Sequence, residues 1–196
     1  MHTFPQGLIL SGCFLSVVFF ALPGPLCAAP TARRAAAWEA AAQFERWTNA
    51  LRSSRGLSPV RLDPALCRAA GAHAAEMARN HYFGHGGLGG RWFGGGSTPG
   101  SRAWQAGYMW SFIVENIAAG RPTPATAFAA WVASRPHYRN LVEAAVRDLG
   151  IGVARDPQGC CLYWVMELAQ PRLGVISPFV WSGVQPDPPF RFGWGL

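Results

Sequence analysis

The stretch LGIGVARDPQGCCLYWVMEL, residues 149–168, decides the fold. Two apolar, β-prone runs, LGIGVAR and CLYWVMEL, flank the turn-forming DPQG, and the segment reads as a β-hairpin. In the second run Leu162, Trp164, Met166 and Leu168 alternate with Tyr163, Val165 and Glu167. Upstream, MWSFIVENIA (109–118) is a further β-prone run, broken by the polar pair Glu115 and Asn116.

The sequence before these runs is helical. From about Arg34 to Arg55, Phe44, Trp47 and Leu51 recur at helical spacing, and Gly56 ends the pattern. SPVRLDP then reads as a turn, with Asp63 as N-cap and Pro64 as first residue of a second helix running to about His81. Leu66, Ala70, His73 and Met77 mark the inner face of that helix, which makes His73 a hydrogen-bonded core residue. SRAWQAGY suggests a short helix ending at Gly107. Thr123 and Pro124 open a helix through Trp131, and Pro136 opens another turn or short helix. Residues 84–101 form a long Gly, Ser and Pro-rich loop containing Trp92 and Phe93. Helices first and strands late predict an α+β sandwich with an antiparallel sheet.

Composition sets the class. Of 196 residues half are hydrophobic, 14% are charged and 23 are glycine, which describes a globular chain with glycine-rich loops. All 17 basic residues are arginine, which excludes a phosphate loop that needs lysine. The net charge of +7 favours anionic partners such as an envelope polymer or lipid. The arginines are scattered without interleaved aromatics, so no nucleic acid is expected as a partner.

Residues 8–22, LILSGCFLSVVFFAL, form an apolar run shorter than the roughly 20 residues of a membrane span. Pro23, Pro25 and the small residues near Ala28 and Ala29 follow. Residues 1–29 therefore read as a secretory signal peptide, with an uncleaved anchor as the alternative. Secretion or export to the periplasm is the expected localisation. Residues 30–39 read as a linker, 40–170 as the folded domain, and 171–196 as a Pro, Gly and aromatic extension. Cleavage would leave Cys67, Cys160 and Cys161; one disulfide from Cys67 to the 160/161 pair and three buried thiols are the two readings.

The chemistry-bearing residues are His85, Glu115 and His137. His81 and His85 lie four apart, a spacing that on one helix would pair them, but Gly84 interrupts the helix and leaves His81 as a helix-end residue. Glu115 interrupts an apolar run, where a carboxylate needs a partner. His137 falls in the first turn of a helix, where the positive dipole end favours neutral imidazole. Two imidazoles and a carboxylate suit zinc or another divalent cation, with an open position. Glu115 reads either as a ligand, as an outer-shell partner of a histidine, or as a general base. No GxSxG, HExxH or cysteine-nucleophile signature accompanies them. Helical Cys67 has no sequence feature that would activate it.

Seven segments in order, WTNALRSSRGLSPVRLDPAL, HAAEMARNHYFGH, RAWQAGY, VENIAAG, WVASRPHYRNLV, LGIGVAR and YWVMEL, resemble the bacterial branch of the CAP superfamily, the SCP domain. The resemblance spans about residues 40–170. It implies a three-layer α-β-α sandwich with a central antiparallel sheet. It also implies a cleft lined by two histidines and acidic residues, here His85, His137 and Glu115. Many members add an acid in the helix that carries the tryptophan; TPATAFAAWVAS has none, and Ser134 stands near that place. Val114 stands where the family usually has glycine. The resemblance implies binding of zinc or other divalent cations in some members and of sterols or fatty acids in others, with no common enzymatic activity. The function expected is a secreted, non-enzymatic binding module; a metal-dependent hydrolase and a lipid- or envelope-binding protein are the alternatives.

Overall fold

The computed structural model describes residues 30–88 and 96–172, with the side chains of 30–36 left out of the description. The expected signal peptide, Trp92 and Phe93, and the extension beyond Arg172 lie outside the described residues.

The elements in chain order are α1 (Pro30–Ser53), β1 (Arg61–Leu62), α2 (Pro64–Asn80), α3 (Pro99–Gln105), β2 (Trp110–Ala119), α4 (Pro124–Ala133), α5 (Arg135–Leu141), β3 (Asp148–Arg155) and β4 (Leu162–Pro171). Helix α1 begins at Pro30, so the expected linker is helical. Proline suits a first helical position, and the alanine-rich sequence after it has high helix propensity. Asp63 caps α2 as expected, accepting from the amides of Ala65 (2.8 Å) and Leu66 (2.9 Å). Thr98 and Thr123 cap α3 and α4, each with a reciprocal capping box.

The sheet is four-stranded in the order β1-β3-β4-β2. Its three long strands are antiparallel, but β1 runs parallel to β3, so the sheet is mixed. The expected turn at SPVRLDP contains that strand. Two residues are too few to show an alternation; hydrogen bonds from Arg61 N to Arg147 O and Asp63 N to Leu149 O create it.

Every residue of β4 from Leu162 to Ala169 is buried, and its alternation divides two cores. Leu162, Trp164, Met166 and Leu168 pack with Phe44 of α1 and Trp131 of α4. Tyr163 and Val165 pack on the opposite face with Ala70, Ala74 and Met77 of α2. The sheet is therefore covered on both sides, the expected three-layer sandwich. Buried Arg52 ties α1 to the α5–β3 connection, donating to Leu141 O (3.1 Å), Glu143 O (2.8 Å) and Val146 O (3.3 Å).

The glycines of LGIGVAR face α2. A Cβ on Gly150 would strike the backbone of Leu66 and Cys67, and one on Gly152 the backbone of Ala70 and Gly71. The helix lies so close to β3 that no side chain fits between them.

The three thiols are free. Cys67 packs beside Gly150, while Cys160 and Cys161 lie past Arg155 at the hairpin turn. Five residues of strand separate the two places, about 16 Å at strand rise, beyond the reach of a disulfide. Burial pushes the Cys67 thiol up to about 11.

Overpacking at the α2–β3 contact fixes a prediction. Gly152→Ala lowers the unfolding free energy by about 1–3 kcal/mol in urea denaturation. Gly71→Ala, whose Cβ meets nothing within 4 Å, raises it by about 0.5–1 kcal/mol through helix propensity.

Candidate functional site

Helix α2 ends at Asn80, and His81 adopts a left-handed conformation (φ 52°), its amide bonding Met77 O. The chain leaves the helix axis there, so His81 and His85 share no helical face. His73, fully buried on α2, then fixes the departing loop: its Nε2 hydrogen-bonds Gly84 O at 2.9 Å. Glu76, one turn further along α2, accepts from Leu88 N at 2.9 Å. His85 is thereby held against the middle of β2, beside Glu115.

Glu115 comes from β2 and is buried. Both of its carboxylate oxygens are engaged. His85 Nδ1 hydrogen-bonds Oε1 at 2.8 Å, and Arg102 of α3 donates to Oε2 at 2.6 Å. The same guanidinium donates to His85 O (3.1 Å) and to Ser97 O (3.2 Å) and Oγ (3.1 Å). One buried arginine thus closes both ends of the glycine loop onto β2.

Glu167 of β4 lies directly opposite Glu115 in the strand register. It is fully buried, its oxygens have no hydrogen-bond partner, and Arg102 approaches only to 3.9 Å. Burial and the neighbouring Glu115 charge push its carboxyl well up, so Glu167 is the protonated member of the pair. Burial alone would raise Glu115 as well; the His85 hydrogen bond and the Arg102 charge outweigh it and hold Glu115 ionised.

His137 is on α5, whose placement against β2 rests on two asparagines. Asn116 Nδ2 donates to His137 O (3.1 Å), and Asn140 Nδ2 donates to Glu115 O (3.1 Å) and Asn116 Oδ1 (2.8 Å). His137 Nδ1 hydrogen-bonds Ser134 Oγ at 2.8 Å, so Ser134 serves as its partner where many relatives carry an acid. Burial lowers the His137 pKa, and the charge of His85 lowers it further. His85 is shifted the other way, raised by its bond to Glu115.

The structure pairs His85 with Glu115, while His137 sits on α5 against the same strand, tied to it through Asn116 and Asn140. Each histidine uses Nδ1 internally, which leaves Nε2 as the outward atom of both rings. Among the described residues, no group of three or more histidine, cysteine or carboxylate side chains is arranged to hold a metal ion. Sequence reasoning missed Arg102 and Glu167. Glu167 carried the signal that marked Glu115, a carboxylate inside an apolar strand. Arg102 carried none, since the sequence has arginines throughout.

A mixed sheet between helical layers, with a histidine bonded to a buried glutamate on its edge strand, defines an SCP-type sandwich. The model of the cysteine-rich secretory protein family matches residues 46–168, and the chain belongs to that CAP family. An uncharacterised Bacillus subtilis protein, YkwD, is 30% identical over 105 residues, covering 54% of this chain and 38% of YkwD. The chain thus spans less than half the length of that curated relative. An extracellular SCP-domain protein from Bacillus anthracis superposes with a TM-score of 0.62 at 25% identity, covering 75% of this chain and 45% of that one. An outer surface protein of Borrelia burgdorferi shares the fold, with a TM-score of 0.57, 19% identity, and coverage of 66% of this chain and 90% of that one.

Two outcomes test this arrangement. Arg102→Met leaves Glu115 without its cation and costs about 3–5 kcal/mol in chemical denaturation. In a proton NMR titration His85 titrates at higher pH than His137, and Glu115→Gln brings the His85 transition down. The signs follow from linkage. The raised His85 stabilises the fold below the unfolded imidazole value and loses that contribution as pH rises through its folded value. The lowered Glu115 stabilises it above the unfolded carboxylate value and loses that contribution as pH falls through its folded one.

Proposed function

We propose that the protein is a secreted, non-enzymatic binding module whose cleft holds a divalent cation such as zinc on the Nε2 atoms of His85 and His137. The observation that carries this reading is the occupied Nδ1 of each ring: Glu115 takes that of His85 and Ser134 that of His137, both at 2.8 Å. A carboxylate on the far nitrogen fixes the tautomer and raises the basicity of a ligating imidazole. Glu115 then belongs to the outer shell, since Arg102 and His85 take both its oxygens. A cation on two histidines keeps open positions and supplies a Lewis-acidic charge for an anionic ligand. The same Arg102 contact argues against Glu115 as a general base, because a carboxylate paired at 2.6 Å to a guanidinium is weakly basic. Secretion is supported by the extracellular and outer-surface descriptions of the structural relatives.

Calorimetric zinc titration tests the reading. The chain binds zinc, His85→Ala with His137→Ala abolishes binding, and Glu115→Gln weakens it by about 10–100-fold. Binding declines as pH falls through the His85 titration, because the proton and the cation compete for Nε2. Equal zinc binding by the double variant and the parent would overturn it.

A further inference from the structure

β2 lies at the edge of the sheet, with β4 on one side only. In an antiparallel strand the N–H and C=O of one residue point the same way, alternately toward and away from the partner. Two contacts identify the outward set. Trp131 Nε1 donates to Ile117 O at 3.0 Å and Asn140 Nδ2 to Glu115 O at 3.1 Å, both from helices outside the sheet. Gly120 N, three positions beyond Ile117, bonds inward to Leu162 O. The amides of Ile117 and Ala119 and the carbonyl of Ala119 therefore face away from β4. Among the described residues none of these three groups has a hydrogen-bond partner. Ile117 is only 4% exposed and lines a cleft between β2 and α4, so its outward amide does not face bulk solvent.

That cleft has a volume of about 340 Å³ and runs between the β2 edge and α4. Phe83, Ala130 and Trp131 give it an apolar wall, and Ser134 and His137 add polar groups. Arg121 also lines it, exposed and with no hydrogen bond or ion pair from its guanidinium among the described residues. An acyl chain would leave the strand-edge amides unsatisfied and has no use for their spacing. An extended peptide backbone supplies carbonyls at the strand repeat, and an acidic group answers Arg121.

We propose that the Ile117–Arg121 edge binds a short extended peptide carrying an acidic residue, by addition to β2. The peptide's carbonyls accept from Ile117 N–H and Ala119 N–H, its amide donates to Ala119 O, and its carboxylate meets Arg121. His137 also lines the cleft, but the contact needs no cation, so it stands or falls apart from the metal reading.

Amide NMR titration of the metal-free full chain tests it. The probes are Ac-Glu-Ala-Ala-Ala-NH2 and Ac-Ala-Ala-Ala-Glu-NH2, each with its glutamine counterpart, and sodium octanoate. The expected result is downfield shifts of the Ile117 and Ala119 amides with one glutamate peptide, binding at least several-fold weaker for its glutamine form, and loss of that preference in Arg121→Gln. Ala119→Pro removes one donor at an edge position where proline is tolerated, and Ala130→Trp fills the cleft; each reduces binding at least tenfold. If Ala119→Pro does not fold, Ala130→Trp decides. Failure of all four peptides at millimolar concentration overturns the proposal. So does binding that Ala130→Trp and Arg121→Gln leave unchanged, or octanoate shifting these amides where the peptides do not.

Discussion

The ion pair between Arg102 and Glu115, 2.6 Å long and buried at both ends, organises this molecule around its cleft. A carboxylate in the interior of a sheet is unfavourable unless its charge is met. Here one guanidinium meets it and also donates from Nη1 and Nη2 to backbone and hydroxyl groups at both ends of the glycine loop. The pair holds the two described ends of the loop at His85 and Ser97, and His85 completes the carboxylate's hydrogen bonding. Removing any member leaves the others with unmet polar groups in a place water reaches poorly. That mutual dependence gives an otherwise glycine-rich segment a defined geometry where it meets β2.

Glu167 shows how far the constraint reaches. In a pair whose backbone bonds point outward, opposing side chains approach closely, and Glu115 and Glu167 form such a pair. Two carboxylates so placed cannot both ionise, and Arg102 decides between them by distance: 2.6 Å to Glu115 against 3.9 Å to Glu167. The neutral acid beneath the ionised one keeps the cluster close to electrically balanced. The glycine at position 150, opposite Glu167 on the other flanking strand, leaves α2 room to seal that face.

Much of this fold was legible before the structure, for physical reasons that differ by element. The hairpin was readable because β4 alternates between two cores, and the helix starts because Asp63, Thr123 and Pro124 act locally on neighbouring amides. β1 was not, because two residues carry no period and its pairing comes from β3, far along the chain. His85, Glu115 and His137 were picked out by position, at element ends or inside an apolar run, and by the family resemblance. Arg102 escaped, because its role depends on which face of a short helix meets β2, a tertiary fact. The disulfide reading failed on the same ground: a sequence counts cysteines but does not measure the length of strand between them.

The edge strand explains why a cleft exists here at all. A sheet edge must be covered or kept short to avoid uncontrolled pairing. β2 is covered piecemeal: α3 contacts its exposed start through Trp110, whose indole N–H donates to Gly100 O, and α5 takes Glu115 O through Asn140. α4 takes Ile117 O through Trp131, and its coverage stops there. Ile117 to Ala119 line the cleft there, together with His137 and Arg121. Residue parity connects the two halves. Glu115 and Ile117 share both a side-chain face and an outward backbone, so the register that buries the carboxylate beneath His85 also aims the free amides into the cleft. Shifting β2 by one residue would carry Glu115 to the opposite, apolar face of the sheet and turn those amides toward β4, abolishing both features together.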